Sequence, residues 1–373
     1  MVDEGKITGR EAMLLVVVLI INELFLTFMA QLVEVGQTGA WLILLSATIT
    51  AGVLFLPSAA LMKRYPGKSL VEVGEELTGP YLNGLLSFVY LVTFLVSSSL
   101  VLRQYAERVL TISIPELPIS VAMAGMFLGS LVGCHLGLEA MARSSLFITF
   151  FIGFTVLLVS LLTYPYWRFD YLFPLAGAGI TAILKEGFFR SSVATGVLFL
   201  PLVFPSLKEP DIRRTGLGAI GIGGLTVTLT MVAMLMTFGV SVLEEMSLPS
   251  YEMSRLIYFG RFLQRLESIF VPIWALVGML HVAIATYVGG VIIARALRLP
   301  YHRPFLLPVA IITYSLAFIP ANVSQVLWVD FNLLRFYGWV PAFILPAFLY
   351  VLEKVKKKGG KSAEEGNAPA GQP

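Results

Sequence analysis

Glu23 and His281 are the two residues best placed for proton chemistry in this chain. Glu23 lies twelve residues into an apolar run beginning at Glu11, and His281 lies thirteen residues into one beginning at Ser268. A carboxylate at bilayer depth costs about 2.5–3.5 kcal/mol on insertion scales, so Glu23 is expected to face a protein interior. Two readings are open. Either Glu23 titrates and couples a proton to ligand binding, with His281 as partner or relay, or the two form a hydrogen-bonded pair that holds helices together. Asn22 and Thr27 flank Glu23, Ser97 to Ser99 lie midway along another run, and Thr286 and Tyr287 follow His281 by one and a half turns. A further run is interrupted at Thr195-Gly196 and again at Pro201 and Pro205. Glycine weakens a helix by about 1 kcal/mol and proline removes a hydrogen bond. Opening at Gly196 would free N–H and C=O groups for a ligand's carboxylate and ammonium. The candidate ligand-binding residues are therefore Asn22, Glu23, Thr27, Ser98, Thr195, Gly196, His281 and Tyr287, with Glu23 and His281 as the proton-coupling pair. The bland alternatives are an ordinary kink at Gly196 and helix-packing serines.

These residues need elements to hold them, and composition says which kind. Of 373 residues 57% are hydrophobic and only 13% charged, with a mean hydropathy of +0.84. Soluble domains carry about a quarter charged residues, and a single core stops growing near about 250–300 residues. The chain therefore reads as an all-α integral membrane protein. The lone Cys134 excludes a disulfide scaffold, a net charge of +3 argues against nucleic acid, and three histidines leave little for a metal site. No phosphate loop, nucleophile elbow, zinc-protease motif or cysteine pair is present, so neither an enzyme nor a cofactor is expected. The glycines from Gly216 to Gly224 read as a stripe of small residues for helix contact.

A crossing helix needs about 20 apolar residues. Ten such runs are predicted, at 11–33, 41–61, 82–110, 120–134, 146–164, 188–204, 217–243, 268–296, 305–319 and 336–352. No small-residue cleavage motif follows the first, so it is expected to stay. Residues 1–352 then form one membrane domain, and 353–373 a disordered tail. Lys6, Arg10, Lys63, Arg64, Lys68, Arg143, Lys208, Arg213, Arg214, Arg295, Arg298, Arg303 and five tail lysines fall on one side. That bias puts both termini in the cytoplasm. The third and eighth runs are the long ones, and the first and sixth are the interrupted ones. Broken helices at matching places in two inverted sets of five point to a midplane site between the halves. Residues 248–266 carry Leu256, Phe259, Leu263 and Leu266 on one stripe with Arg255, Arg261 and Arg265 off it. They read as an amphipathic surface helix or a lid over an outer vestibule. Arg103 and Glu107 are spaced to pair along one face.

The stretch Arg64-Tyr-Pro-Gly-Lys-Ser-Leu-Val-Glu-Val-Gly-Glu-Glu-Leu-Thr-Gly79 resembles the first cytoplasmic loop of spore germination receptor B subunits of the GerAB type. That family lies within the amino acid–polyamine–organocation transporter superfamily. Gly36-Gln-Thr-Gly-Ala-Trp41, Leu102-Arg-Gln-Tyr-Ala-Glu107 and Gly260-Arg-Phe-Leu-Gln-Arg-Leu-Glu267 are similar to it as well. The resemblance implies a LeuT-like fold of ten transmembrane helices in a 5+5 inverted repeat, with a ligand between the first, third, sixth and eighth spans. It also implies a small amino-acid-like germinant, the inner membrane of a spore, surrounding membrane lipid, and receptor A and C subunits as partners. The chain differs from that pattern in carrying Asn22-Glu23-Leu24-Phe25 in place of a glycine and proline, and Val197 after Gly196 where relatives carry an acid. Against a germinant-sensing subunit stand a proton-coupled amino acid permease of the vegetative membrane, for which Glu23 argues, and a ligand-opened ion channel.

Overall fold

The computed structural model describes residues 5–22, 28–112, 116–208, 211–257 and 267–366. Their secondary structure is helical apart from one parallel bridge between Ile7 and Leu207. The first half holds α1 (Gly9–Ile21), α2 (Phe28–Gly36), α3 (Ala40–Arg64), α4 (Leu70–Thr78), α5 (Pro80–Ile112), α6 (Ile119–Leu136) and α7 (Leu138–Leu162). The second holds α8 (Ile180–Phe189), α9 (Phe199–Leu202), α10 (Ile212–Phe238), α11 (Val240–Leu243), α12 (Pro249–Arg255) and α13 (Glu267–Ala296). It ends with α14 (Arg303–Leu316), α15 (Val323–Trp328), α16 (Arg335–Tyr337) and α17 (Leu345–Gly366).

The molecule is organised for lipid. Phe147, Phe150, Phe154, Leu157 and Leu161 follow one another at three- and four-residue spacing along α7, and all are more than half exposed. An apolar stripe of that size in water would be an aggregation surface, and in a bilayer it is the lipid face. At the other extreme, 83% of the most apolar stretch of α13 is buried, against 22% for α7, so α13 is the central helix. Around it pack α5, α6, α7 and α14. A second group joins α1, α3, α8 and α10, and glycines let it close up. A Cβ on Gly223 would lie 2.9 Å from the Ile20 side chain, and one on Gly216 or Gly224 would overlap Phe55 or Thr48. The glycine run is thus the helix-contact stripe its composition predicts.

Seven helical stretches among the described residues are long and apolar enough to cross a bilayer: Phe28–Arg64, Pro80–Ile112, Ile119–Leu136, Leu138–Leu162, Ile212–Phe238, Val271–Ala296 and Val323–Lys357. The ten predicted runs correspond imperfectly to these. The first run is split between α1 and α2, with 23–27 outside the described residues. The sixth is broken into short pieces between Ile180 and Ser206. The ninth is α14, whose 14 residues span only about 21 Å at 1.5 Å each.

The last predicted run is displaced at both ends. Helix begins at Val323, not at 336, and holds two π-helical segments, Val329–Leu334 and Val340–Ile344. Asp330 and Arg335, both ahead of the predicted start at 336, pair with each other inside the helical stretch. Nor does helix stop at Leu352. Glu353 is 1% exposed, pairs with Arg64 and lies 2.7 Å from Lys357 Nζ. α17 runs on to Gly366.

The Lys/Arg-rich end is closed by local rules. Thr8 with Glu11 and Ser69 with Glu72 form capping boxes at the starts of α1 and α4. Glu72 also holds Arg295 at 2.9 Å, and Glu75 holds Arg298, so the loop motif 64–79 clamps the end of α13. Ile7 N–H donates to Ser206 O and Lys208 N–H to Ile7 O, each at 2.9 Å, tying the chain start to the end of the broken segment. Of the predicted amphipathic helix, α12 is described as far as Arg255, with Leu256 capping it, whereas Phe259, Leu263 and Leu266 lie outside the described residues.

Candidate functional site: the broken helices and a buried charge network

Asn22 caps the end of α1, where its N–H donates to backbone oxygens of Val18 and Ile20. Its side chain is wholly buried, and neither amide atom, Oδ1 nor Nδ2, has a partner among the described residues. A buried amide left unpaired costs about 1–3 kcal/mol per polar group. Glu23 and Thr27 lie outside the described residues.

Opposite α1 stands the interrupted sixth segment. Arg190–Leu198 is 3-10 rather than α-helical, with Ala194 at φ −91° and ψ 15°. Gly196 meets α1 here: a Cβ on it would lie 2.6 Å from Leu19 Cβ, one turn before Asn22. Gly196 is thus needed for the crossing of two helices, whatever its backbone offers a ligand. Thr195 Oγ1 donates to Ser192 O and lies 3.5 Å from O of Gly338, which caps α16.

Two other candidates part company. His281 Nε2 sits 3.1 Å from Ser97 Oγ, which joins α13 to α5 near their middles. Its Nδ1 has no partner among the described residues. Ser98, the serine singled out from sequence, turns the other way. It donates to Phe94 O at 2.7 Å and lies 3.4 Å from Thr313 Oγ1 of α14, a packing role. Tyr287 is six residues past His281, about 9 Å along the axis. Its ring meets His302 edge-on at 4.9 Å and lines a cavity of 480 Å³ with Glu139, Tyr301 and Arg303. The structure therefore does not bring Tyr287 to His281.

The sequence reading missed a charged network beside the break. Asp330 is 1% exposed and accepts hydrogen bonds from Gln104 Nε2 of α5 at 3.0 Å and Arg335 Nε at 3.1 Å. Ser192 Oγ donates to Arg335 O, and Arg190 Nη1 donates to Phe331 O. The Arg190 guanidinium lies 3.6 Å over the Phe331 ring, and its Nε lies 3.3 Å from Glu186 Oε2. At 100° per residue, positions five apart on an α-helix point about 140° away from each other. The π-segment between Val329 and Leu334 supplies the extra turn width that lets Asp330 reach Arg335. The available signal was an acid and a base in one apolar run, each needing the other. Nearby, Arg103 and Glu107 make the expected pair at 2.9 Å, and Arg103 Nη1 also donates to Ala317 O.

The site can therefore bind through hydrogen bonds and charge, but no group of three or more His, Cys, Asp or Glu among the described residues is arranged to hold a metal ion. The architecture is shared. Crystal structures of a manganese transporter from Eremococcus coleocola, in two mutant forms, superpose with a TM-score of 0.55 at 15% identity, over 92% of this chain and 75% of theirs. Fold and lipid-facing surface thus define a multi-pass membrane protein with a LeuT-like transporter fold. Sequence comparison is more specific. The family model described as spore germination protein matches residues 6–326, and the chain belongs to that family. Spore germination protein KB of Bacillus subtilis (strain 168) is 26% identical over 95% of this chain and 96% of its own length. YndE of the same organism is 25% identical over 96% and 99%, and GerQB of Bacillus cereus 25% over 86% and 88%.

Proposed function

We propose that this protein is the germinant-sensing B-type subunit of a spore germination receptor. It would cross the spore inner membrane ten times, in two inverted sets of five, with both termini in the cytoplasm. Its ligand is a small amino-acid-like molecule, held at the midplane between the first, third, sixth and eighth spans. Asn22, Glu23 and Thr27 would contribute from the first span, Thr195 and Gly196 from the sixth, and His281 from the eighth. Glu23 carries the coupled proton, with His281 as its relay. The names of its relatives support a role in spore germination, and receptor A and C subunits are its proposed partners.

The observation that carries the site is Asn22: a fully buried amide with both polar atoms unpaired among the described residues, at the end of α1 and one turn from the Gly196 crossing. Half-helix ends of this kind suit zwitterionic ligands. The test is thermal unfolding of the purified chain against amino acids and nucleosides, at about pH 5.5 and about pH 7.5, on either side of the usual histidine range. One ligand should raise the melting temperature saturably. Asn22→Leu should abolish that shift while leaving the unliganded protein at least as stable, and Glu23→Gln should abolish its pH dependence. A ligand shift unaffected by either substitution would refute the site. Uptake into proteoliposomes driven by a pH gradient would instead support the rival reading, a proton-coupled permease, for which Glu23 is the motive.

A further inference from the structure

A cavity of 610 Å³ opens at the Lys/Arg-rich end, between the end of α3, the segment around Phe204 and the start of α10. Its walls include Leu56, Ala60, Phe204 and Ile212, and Lys63 and Arg213 stand at its rim. On α3 the wall belongs to a longer track. Ile49, Val53, Leu56, Ala60 and Lys63 follow at spacings of three and four, which places them on one helix face. Ile49 and Val53 are about 60% exposed, so the track runs from the lipid-facing surface into the cavity and ends on a cation.

Among the described residues the two rim cations are spare. At this end Arg64, Lys68, Arg295, Arg298 and Lys357 each hold a carboxylate. Lys63 and Arg213 are exposed, and neither pairs with a carboxylate among the described residues. Among the described residues the one acid on the rim, Asp211, accepts from Arg214 N at 3.1 Å and caps α10, so its charge is set against that helix terminus.

From this juxtaposition we propose that the groove is a binding site for an anionic phospholipid. One acyl chain lies along the Ile49–Ala60 track, and the headgroup phosphate is held between Lys63 and Arg213. A zwitterionic lipid carries its own cation and gains less from the rim. Each basic residue near an anionic headgroup is worth about fivefold in affinity, hence about 25-fold for the pair. The site is separate from the midplane ligand site and does not depend on it.

The test is native mass spectrometry of the full chain in neutral detergent, titrated with phosphatidylglycerol and with phosphatidylcholine. The expected result is preferential retention of phosphatidylglycerol, reduced about 25-fold in Lys63→Gln/Arg213→Gln. Lys63→Arg/Arg213→Lys should keep the preference, and Ala60→Trp, which fills the track, should weaken retention of both lipids. Arg143→Gln/Arg303→Gln, at the same end but off the groove, should change nothing. An equal loss in that control would reduce the effect to diffuse surface charge and overturn the site. So would an unchanged preference in Lys63→Gln/Arg213→Gln, or inorganic phosphate displacing the lipid at equal concentration.

Discussion

Removing Arg335 should destabilise the protein far more than removing it together with Asp330. The two side chains are 5% and 2% exposed, and their hydrogen bond is 3.1 Å long. Among the described residues Asp330 has one other hydrogen-bond partner, Gln104 Nε2. Arg335→Met therefore leaves a buried carboxylate with a single amide bond and only the unbonded Arg190 as a nearby counter-charge, a change worth about 3–5 kcal/mol. Asp330→Leu strands a guanidinium instead, toward the lower end of that range, because Arg335 keeps further contacts. Replacing a whole buried pair by apolar residues of similar volume is often neutral, so Asp330→Leu/Arg335→Met should lose less than about 2 kcal/mol. The two single losses would then exceed the double loss by about 3 kcal/mol or more, which is the coupling energy. Equilibrium unfolding of the four proteins in mixed detergent–SDS micelles, followed by circular dichroism, measures each term. Single losses below about 1 kcal/mol, or a double loss equal to their sum, would refute a closed, desolvated pair.

The remaining predictions use the same unfolding assay. Gly216→Leu drives a side chain into the Phe55 ring and should destabilise the α3–α10 contact by about 1–3 kcal/mol or more, with no loss counting against that close approach. Ser97→Ala removes the partner of His281 Nε2 and should cost about 1–3 kcal/mol, whereas Ser99→Ala, whose hydroxyl bonds only its own helix, should cost less. Equal effects would mean that the Ser97–His281 contact contributes nothing. Glu72→Gln keeps a capping group but loses the charge opposite Arg295. Since Glu72 is 44% exposed, the change should stay within about 1 kcal/mol, and a larger one would show a stronger clamp than the geometry implies.

Features set by local spacing and by averages were legible in the chain. Low charge and high hydropathy determine a membrane protein, because no water-soluble core could bury so much apolar surface. The Arg103–Glu107 pair follows from i,i+4 geometry, and the glycine stripe on α10 from the need of packed helices for small residues. The interruption near Thr195-Gly196 follows from the weakness of glycine in helices. What the chain could not reveal is which side of each helix faces which neighbour. Ser97 and Ser98 are adjacent, yet a rotation of about 100° per residue sends one to His281 and the other to Thr313. The same rotation carries Tyr287 to His302, away from the midplane. Gln104, Asp330 and Arg335 combine helices more than 200 residues apart in sequence, and a π-segment, which no periodicity announces, completes their register. The predicted last run begins only after Asp330 and Arg335, because hydropathy weighs each charge as if it were alone. Only the packed structure decides that the two meet, and the meeting is what allows them inside the membrane domain.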